Sequence, residues 1–287
     1  MRFQFIDKHR DVYPVTLMCQ VLAVSPSGYY AWRNRPVCQR KMADAQLLSK
    51  IKTIFKQSRQ TYGRPRIHAI LREQGIYCGG KRVARLMRQA KLKVKRKRSY
   101  KVTTQSNHNL PVAPNLLNQQ FTATQPNQIW LADITYVATA EGWLYLAAVL
   151  DLYSRRIVGW SMQPTLNRKL VLSALDMALK LRNPPAGLLH HSDRGSQYAS
   201  RDYQATLATY ELLPSMSRRG NCYDNAPMES FFAMLKVECI RGVVYSSRLE
   251  ARAELFEYIE MFYNRQRIHS QLGYKSPVAY EALPLVA

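Results

Sequence analysis

Gln128-Ile129-Trp130-Leu131-Ala132-Asp133-Ile134-Thr135-Tyr136-Val137-Ala138 is the stretch from which the fold can be read. Its β-branched and aromatic residues give it strand character. At the two-residue period of a strand, Asp133 shares a face with Leu131 and Thr135, opposite Trp130, Ala132, Ile134 and Tyr136. A carboxylate in the middle of a core strand is costly unless it is paired or holds a metal. Downstream, residues 143–150 are apolar on both pleat faces, as in a central buried strand, and Gly142 fits a tight turn between the two. A third strand is predicted over 156–162, and helices or strands then alternate: helix 168–181, strand 187–191, helix 200–210, strand 212–216, helix 227–240. An amphipathic helix over 248–263 follows. Three strands in a row, then alternating helix and strand, predict a mixed α/β domain.

Upstream the character changes. Residues 42–60 place Leu47, Ile51, Ile54 and Phe55 on one helical face. Thr61-Tyr62-Gly63 breaks that helix, a second over 65–74 carries Ile67, Ile70 and Leu71, and a third over 81–90 carries Val83, Leu86 and Met87. The other face of the third shows Lys81, Arg82, Arg85 and Arg88, which is compatible with a helix-turn-helix whose last helix enters a DNA groove. A basic run, Lys91 to Arg98, includes Lys95, Arg96, Lys97 and Arg98, and a polar stretch with Pro111 and Pro114 reads as a linker. Residues 12–35 read as a small helical hairpin, with Ser25 as N-cap and Pro26 at the first helical position.

The charge follows the same division. The chain of 287 residues has 42 Lys+Arg against 19 Asp+Glu, a net of +23, and residues 1–120 carry +21 of it. Such asymmetry points to a polyanion partner, most simply nucleic acid. With 47% apolar residues the chain can bury a core, which excludes wholesale disorder. The longest apolar run, 143–150, is far short of the ~20 residues a spanning helix needs. Asp7, Lys8, Arg10 and Asp11 occupy the place of a signal-peptide apolar region. Five cysteines, none in Cys-x-x-Cys, speak against a disulfide scaffold or a zinc ribbon and fit a reducing, cytoplasmic setting.

The candidate chemistry lies in three acids. Asp133 sits in the first core strand, Asp193 just past the fourth, and Glu229 in the first turn of the helix after Asp224-Asn225, one of which is expected to cap it. Glu229 lies on the shoulder of the stripe Met228, Phe231, Phe232, Leu235 and Cys239, and Lys236 follows two turns along on that shoulder. Fifty-nine residues separate Asp133 from Asp193, and 35 separate Asp193 from Glu229. This arrangement resembles the catalytic core of retroviral integrases and DDE transposases. Trp130-x-x-Asp133-Ile134-Thr135-Tyr136, the segment from Asp151 to Trp160, His191-Ser192-Asp193-Arg194-Gly195, Asp224-Asn225-Ala226-x-x-Glu229, Tyr62-Gly63-Arg64-Pro65-Arg66 and Tyr263-Asn264-x-x-Arg267-x-His269 look like the second-frame (OrfB) transposase of bacterial copy-out/paste-in insertion sequences. The resemblance covers nearly the whole chain.

It implies a ribonuclease H-like core, a mixed five-stranded sheet with flanking helices, preceded by small all-α helix-turn-helix-like domains. The expected division is 1–40 helical hairpin, 41–100 helix-turn-helix-like with a basic tail, 101–124 linker, 125–240 catalytic core, 241–287 helical extension. It implies Mg²⁺ or Mn²⁺, two ions per site, held by Asp133, Asp193 and Glu229, because phosphodiester transfer favours hard cations on carboxylate oxygens. Lys236, Arg64, Arg66, the basic residues at 81, 82, 85, 88 and 95–98, Arg218 and Arg219 are expected on DNA. A homo-oligomer on DNA and an upstream-frame (OrfA) partner or frameshift fusion are implied too.

Alternatives are a nuclease of the same fold, a junction resolvase or ribonuclease H, and a DNA-binding regulator without catalysis. The 35-residue spacing, the lysine seven after the glutamate and the basic N-terminal half favour transposition. Unlike retroviral integrases, the chain has no His-His-Cys-Cys zinc module, and no sustained heptad run is present. Asp151 reads as structural, pairing with an arginine or closing a turn; His190 and His191 stay unassigned. Removal of residues 1–100 is expected to leave a folded core that binds DNA poorly.

Overall fold

A computed structural model of the chain describes residues 1–36, 38–94, 110–240 and 242–284. The expected DNA contacts Lys95, Arg96, Lys97 and Arg98 lie outside the described residues, as does most of the linker. Two units are distinguishable, Met1–Thr53 and Ile54–Ala287.

In the first unit, α1 (Arg2–His9), α2 (Val15–Val21) and α3 (Pro26–Asn34) gather around Ile6, Met18, Cys19 and Tyr29. The Ser25 hydroxyl oxygen accepts from the Gly28 N–H at 3.0 Å, and Pro26 opens the helix as expected. Helix α1 was not predicted: only Ile6 of its eight residues is buried, so its apolar stripe is too thin to read. The Tyr29 hydroxyl ties it down by donating to Asp7 Oδ1 at 3.0 Å. Helix α4 (Gln39–Gln57) runs across the division between the units.

The second unit begins with α5 (Arg64–Glu73) and α6 (Gly80–Gln89), which bury Ile67 and Leu71, and Val83, Leu86 and Met87. Gly75, at φ +74°, makes the turn that leaves α5. The residues just before α5 clasp the C-terminal helices. Arg59 Nη1 donates to Glu254 Oε1 at 2.7 Å, Nη2 pairs with Glu257, and the guanidinium lies over the rings of Tyr258 and Phe262 at 5.5 and 5.3 Å. The Tyr62 hydroxyl accepts from the Ile268 N–H at 2.8 Å. Removing residues 1–100 therefore strips this clasp from the core along with the basic helices.

The sheet comprises β1 (Ile129–Thr139), β2 (Gly142–Asp151), β3 (Ile157–Gln163), β4 (Leu189–Ser192) and β5 (Leu213–Met216), in the order β3-β2-β1-β4-β5. The first three strands are antiparallel, and β4 and β5 add in parallel, each with a helix as crossover: α7 (Arg168–Arg182) before β4 and α8 (Arg201–Thr209) before β5. Gly142 turns β1 into β2 at φ +98°. The alternation read from the sequence holds. Leu131, Val137, Leu144, Leu146 and Leu150 face one core, Trp130, Ala132, Ala147 and Val149 the other. Helices α7 and α8 cover the second face. The first is covered by α9 (Ala226–Leu235) and α10 (Arg248–Phe256).

Both of these helices end in a wider π turn, Lys236–Ile240 and Glu257–Tyr263, where the sequence predicted plain α-helix to the end. Each wide turn carries a member of one buried polar cluster, Glu238 in the first and Tyr258 in the second. Helix α11 (Pro277–Glu281) completes the described chain. Its Glu281 accepts from Arg156 Nη1 at 2.7 Å, Ser154 Oγ at 2.7 Å and Arg182 Nη2 at 2.7 Å.

Gly159 marks the closest approach of sheet and helix. A Cβ there would stand 2.7 Å from Ala178 Cβ and 2.8 Å from the Ala178 nitrogen. Neither neighbour is a flexible tip, so Gly159→Ala is expected to cost at least the ~1–3 kcal/mol of an overpacked core. Urea unfolding checks this; a change within error would mean that α7 can back away freely.

Candidate active site

The register of the sheet explains where the acids meet. Strand β4 follows β1 in parallel from Ile129↔Leu189 to Ala132↔Ser192 and stops there. Asp133 and Asp193 are the next residues on each strand, so the two carboxylates leave neighbouring strands at the same level. Asp193 stands at the C-terminal end of its strand, a common place for functional groups in α/β sheets. Beyond Ala132 that edge of β1 has no strand partner until the bridge of Thr139 with Tyr245. The approach to α9 fills part of the gap, with Asn225 Nδ2 donating to the Ala132 carbonyl at 3.1 Å. Glu229 then falls in the first turn of α9, whose Phe231 and Phe232 are buried against the sheet.

One pocket is lined by Asp133, Ile134, Thr135, Glu229, Phe232, Ala233 and Lys236. Asp133 Oδ1 accepts from the Ile134 N–H at 2.7 Å, and Asp193 Oδ1 accepts from the Gly195 N–H at 2.9 Å. Burial pushes the Asp133 carboxyl well above its usual range, and the charges of Asp193 and Glu229 push it further, against the Ile134 N–H and Lys236. The Lys236 ammonium, lowered by burial and held up by Asp133, reaches over the Tyr136 ring at 5.4 Å from its centroid. Three repelling carboxylates beside one ammonium form a neighbourhood whose electrostatics a hard cation would reverse.

Two buried oxygens nearby have no hydrogen-bond partner among the described residues, Tyr198 Oη, whose proton is held on by burial and then by Tyr203, Asp133 and Asp193, and Asn225 Oδ1. Unsatisfied oxygens of this kind suit a hydrated cation. Among the described residues, no three His, Cys, Asp or Glu side chains stand close enough to hold a metal ion without moving. The donor set fits in kind and charge; a closed coordination shell is not preformed.

The expected cap is corrected. Asn225 occupies the N-cap position but makes no cap bond: its Nδ2 is anchored on the Ala132 carbonyl of β1, and its Oδ1 accepts from no helix N–H. Asp224 is instead a buried hub. It accepts from Arg218 Nε and Nη2 at 3.0 and 2.8 Å, from the Arg218 N–H, from Asn115 Nδ2 at 3.0 Å and from Gln119 Nε2 at 2.9 Å. The Arg218 bonds hold its carboxyl far below the usual carboxylate range. Arg218 thus braces the loop before α9, and its neighbour Arg219 is exposed. Sequence reading missed this hub because an Asp before a helix looks like a cap.

The other basic candidates are spread. Arg64 is exposed beside the start of α6, while Arg66 turns inward over the Tyr62 ring at 5.4 Å. On α6, Lys81 and Arg88 are exposed, Arg82 and Arg85 half-buried, and Arg85 Nη1 donates to Gln89 at 3.3 Å. Asp151 is fully buried and structural in both senses foreseen. Its Oδ2 accepts from Arg182 Nη2 at 3.4 Å and its Oδ1 from the Tyr153 N–H at 2.9 Å.

The two histidines are core residues. His191 sits between the hydroxyls of Ser215 and Ser217 at 2.8 and 3.1 Å, and His190 Nε2 meets the Tyr203 hydroxyl at 3.0 Å. Burial pushes the His190 imidazolium down from 6.5 to about 3. The unfolded chain therefore takes the proton first. Stability is complete above pH ~6.5 and falls as the pH drops towards ~3, by roughly 1.4 kcal/mol per pH unit from this group. In urea titrations near pH 6.5 and near pH 4, His190→Gln is expected to show the shallower loss; parallel losses would acquit His190.

Comparison with known proteins agrees with this layout. The integrase core domain model matches residues 123–222 and a second integrase core model matches 229–285, while an HTH-like domain model matches 42–100. An uncharacterized 31 kDa protein of insertion element IS600 from Shigella sonnei is 52% identical over 92% of this chain and 97% of its own length. Transposase InsF of insertion sequence IS3A from Escherichia coli (strain K12) is 46% identical over 98% of both chains. Among solved structures, a chain of the simian T-cell lymphotropic virus intasome in complex with PP2A regulatory subunit B56 gamma shares 15% identity, with a TM-score of 0.49, over 77% of this chain and 72% of its own. No helix among the described residues is long and apolar enough to cross a membrane. Identity of this order over nearly the whole chain makes it a member of the insertion-sequence transposases, DDE integrase-core enzymes with a helix-turn-helix-like domain.

Proposed function

We propose that the chain cuts and joins DNA at the ends of its insertion sequence, with Asp133, Asp193 and Glu229 holding two divalent cations, Mg²⁺ or Mn²⁺. The observation that carries this reading is the convergence of Asp133 with Glu229 and Lys236 in one pocket, with Asp193 beside Asp133 in the sheet. When bound, the ions supply activation of the attacking oxygen and stabilisation of the leaving one. Asp133, whose carboxyl feels both Asp193 and Glu229, would hold the ions together with them. Lys236 holds a phosphate oxygen as a point charge. Water breaks a phosphodiester to free a 3′-hydroxyl and leave a 5′-phosphate; that hydroxyl then displaces a 3′-oxygen from a second phosphodiester. No covalent enzyme–DNA link is needed.

DNA recognition is assigned to the face of α6 carrying Lys81, Arg82, Arg85 and Arg88, with Arg64 and Arg219, and to the basic run from Lys95 to Arg98. Arg66 and Arg218 are engaged within the protein and are given bracing roles. A homo-oligomer on two DNA ends, and an upstream-frame partner or fusion, complete the proposal, with the cytoplasm as its setting.

The test is a gel assay with Mg²⁺ and labelled DNA bearing candidate element ends. Joined products are expected, and DNA affinity is expected to fall steeply with salt as counterions are released. Cleavage without joining would favour a nuclease. A flat salt response would count against the basic helices as the DNA surface.

A further inference from the structure

Beside the pocket, on the β1–β2 hairpin, two large aromatic rings stand in the open. Tyr136 is 43% exposed and Trp143 50% exposed, their ring centroids 4.9 Å apart at 78°. Trp143 is the exposed tryptophan of the four; Trp130 is buried, and Trp32 and Trp160 are half-buried. Together they form an exposed aromatic patch at the end of the sheet.

The pair is continuous with the proposed catalytic pocket. Lys236 lines that pocket and also lies over the Tyr136 ring, so the phosphate-binding cation and the aromatic pair meet at one side chain. Tyr136 is flanked by the indole and the ammonium, which leaves Trp143 as the ring open to a partner.

The hairpin that carries them is stiff. Arg248 Nη2 donates to the Glu141 carbonyl at 2.5 Å and Nε to the Trp143 carbonyl at 3.2 Å, and the Arg248 N–H donates to Glu141 Oε2 at 2.9 Å. Thr139 Oγ1 donates to the Gly142 carbonyl at 2.6 Å, and the Ala140 N–H to the Tyr245 carbonyl at 2.8 Å. A ring fixed in advance loses little freedom on binding.

We infer that Trp143, propped by Tyr136, is a stacking platform for one unpaired nucleobase of the DNA strand whose phosphate lies at Lys236. This rests on the proposed reading of the pocket as a phosphodiester site. Within a duplex, base faces are covered by their neighbours; only a frayed or extruded base offers a face to a protein ring. The cation at the edge of the pair matches a nucleotide, whose base and phosphate are held together. The core of a subunit interface is instead depleted of charge.

The test uses the full-length protein and two probes, a short duplex with an unpaired tail at the end and the same duplex with an abasic site in that tail. Trp143→Ala is expected to weaken binding of the tailed probe by about tenfold or more, the worth of one base–aromatic stack. Trp143→Tyr should keep most of the affinity. Wild type on the abasic probe should fall to the level of the alanine variant, which itself should not distinguish the two probes. Wild-type tryptophan fluorescence should be quenched by the tailed probe, and the quench should vanish in Trp143→Tyr.

Equal loss on intact and abasic probes, or no loss at all, would overturn the platform. So would a variant that changes the sedimentation of the free protein from dimer to monomer while its tail affinity holds, because the rings would then be a subunit contact. Because these are binding measurements, they stand apart from the enzymatic reading. A protein that stacks the tail on Trp143 but never joins strands keeps the platform and loses the transposition chemistry.

Discussion

Glu229→Gln is expected to lose DNA cleavage and joining together, by about a thousandfold or more, while DNA binding stays largely intact. The size follows from the several kcal/mol of transition-state stabilisation that bound metal ions supply. The amide is nearly isosteric and Glu229 is only half-buried, so the fold should not notice the change. Asp133→Asn and Asp193→Asn should behave alike, because all three carboxylates serve one charge. Asp133→Asn removes an acid whose ionised form is disfavoured by burial and then by its acidic neighbours, and the variant should be no less stable than wild type. The measurement is gel-resolved product formation with Mg²⁺, alongside DNA affinity for each variant. Substantial turnover in any one of them would remove that residue from the metal site.

Arg267→Met is expected to be the most damaging single change away from the pocket. Arg267 and Glu238 are both buried and paired twice, Nη2 to Oε1 and Nε to Oε2, each at 2.8 Å. The Tyr258 hydroxyl adds a bond to Glu238 Oε2 at 2.9 Å. Removing one partner leaves a buried charge alone, at a cost of about 3–5 kcal/mol. Changing both, Glu238→Gln with Arg267→Met, should recover much of that loss, because the pair's own attraction only roughly offsets its desolvation. Urea unfolding of the two single variants and the double gives the cycle. If the singles cost less than about 1 kcal/mol, the pair is solvated and the reasoning fails. Glu238 lies two residues past Lys236 in the same wide turn, so the single variants should also blunt activity without touching DNA.

The sheet was legible because a strand shows its two faces in its own letters. Alternation at Leu131, Asp133 and Thr135 against Trp130 and Ala132 put the carboxylate on the face that α9 covers, before any partner was known. The three acids and Lys236 were legible as a spaced pattern. What was hidden is what depends on a distant partner. Asp224 looks like a helix cap until Arg218, Asn115 and Gln119 close on it. Arg218 and Arg66 also make contacts within the protein that the sequence does not show, to Asp224 and to the Tyr62 ring. The paired histidines stay unassigned until the hydroxyls of Tyr203, Ser215 and Ser217 are in place. The wide turns in the last two helices leave no mark in a 3.6-residue pattern. Trp143 opens the apolar run 143–150, and nothing in that run tells that its ring is left half exposed.

The clasp of Arg59 and Tyr62 has a consequence in time. Its partners lie 195 and 206 residues further along, at Glu254 and Ile268. A chain that emerges from the ribosome N-terminus first can form its short helices early, but must hold these two side chains open until Glu254 and Ile268 are made. Arg59 and its neighbour Gln60 both sit in left-handed backbone, at φ +53° and +62°, a conformation that neither residue favours alone. The late contacts hold that bend in place. A chain stopped short of Glu254 can have its strands and all three acids, yet leave the bend unfastened; closure of the clasp thus reports that synthesis has passed Ile268.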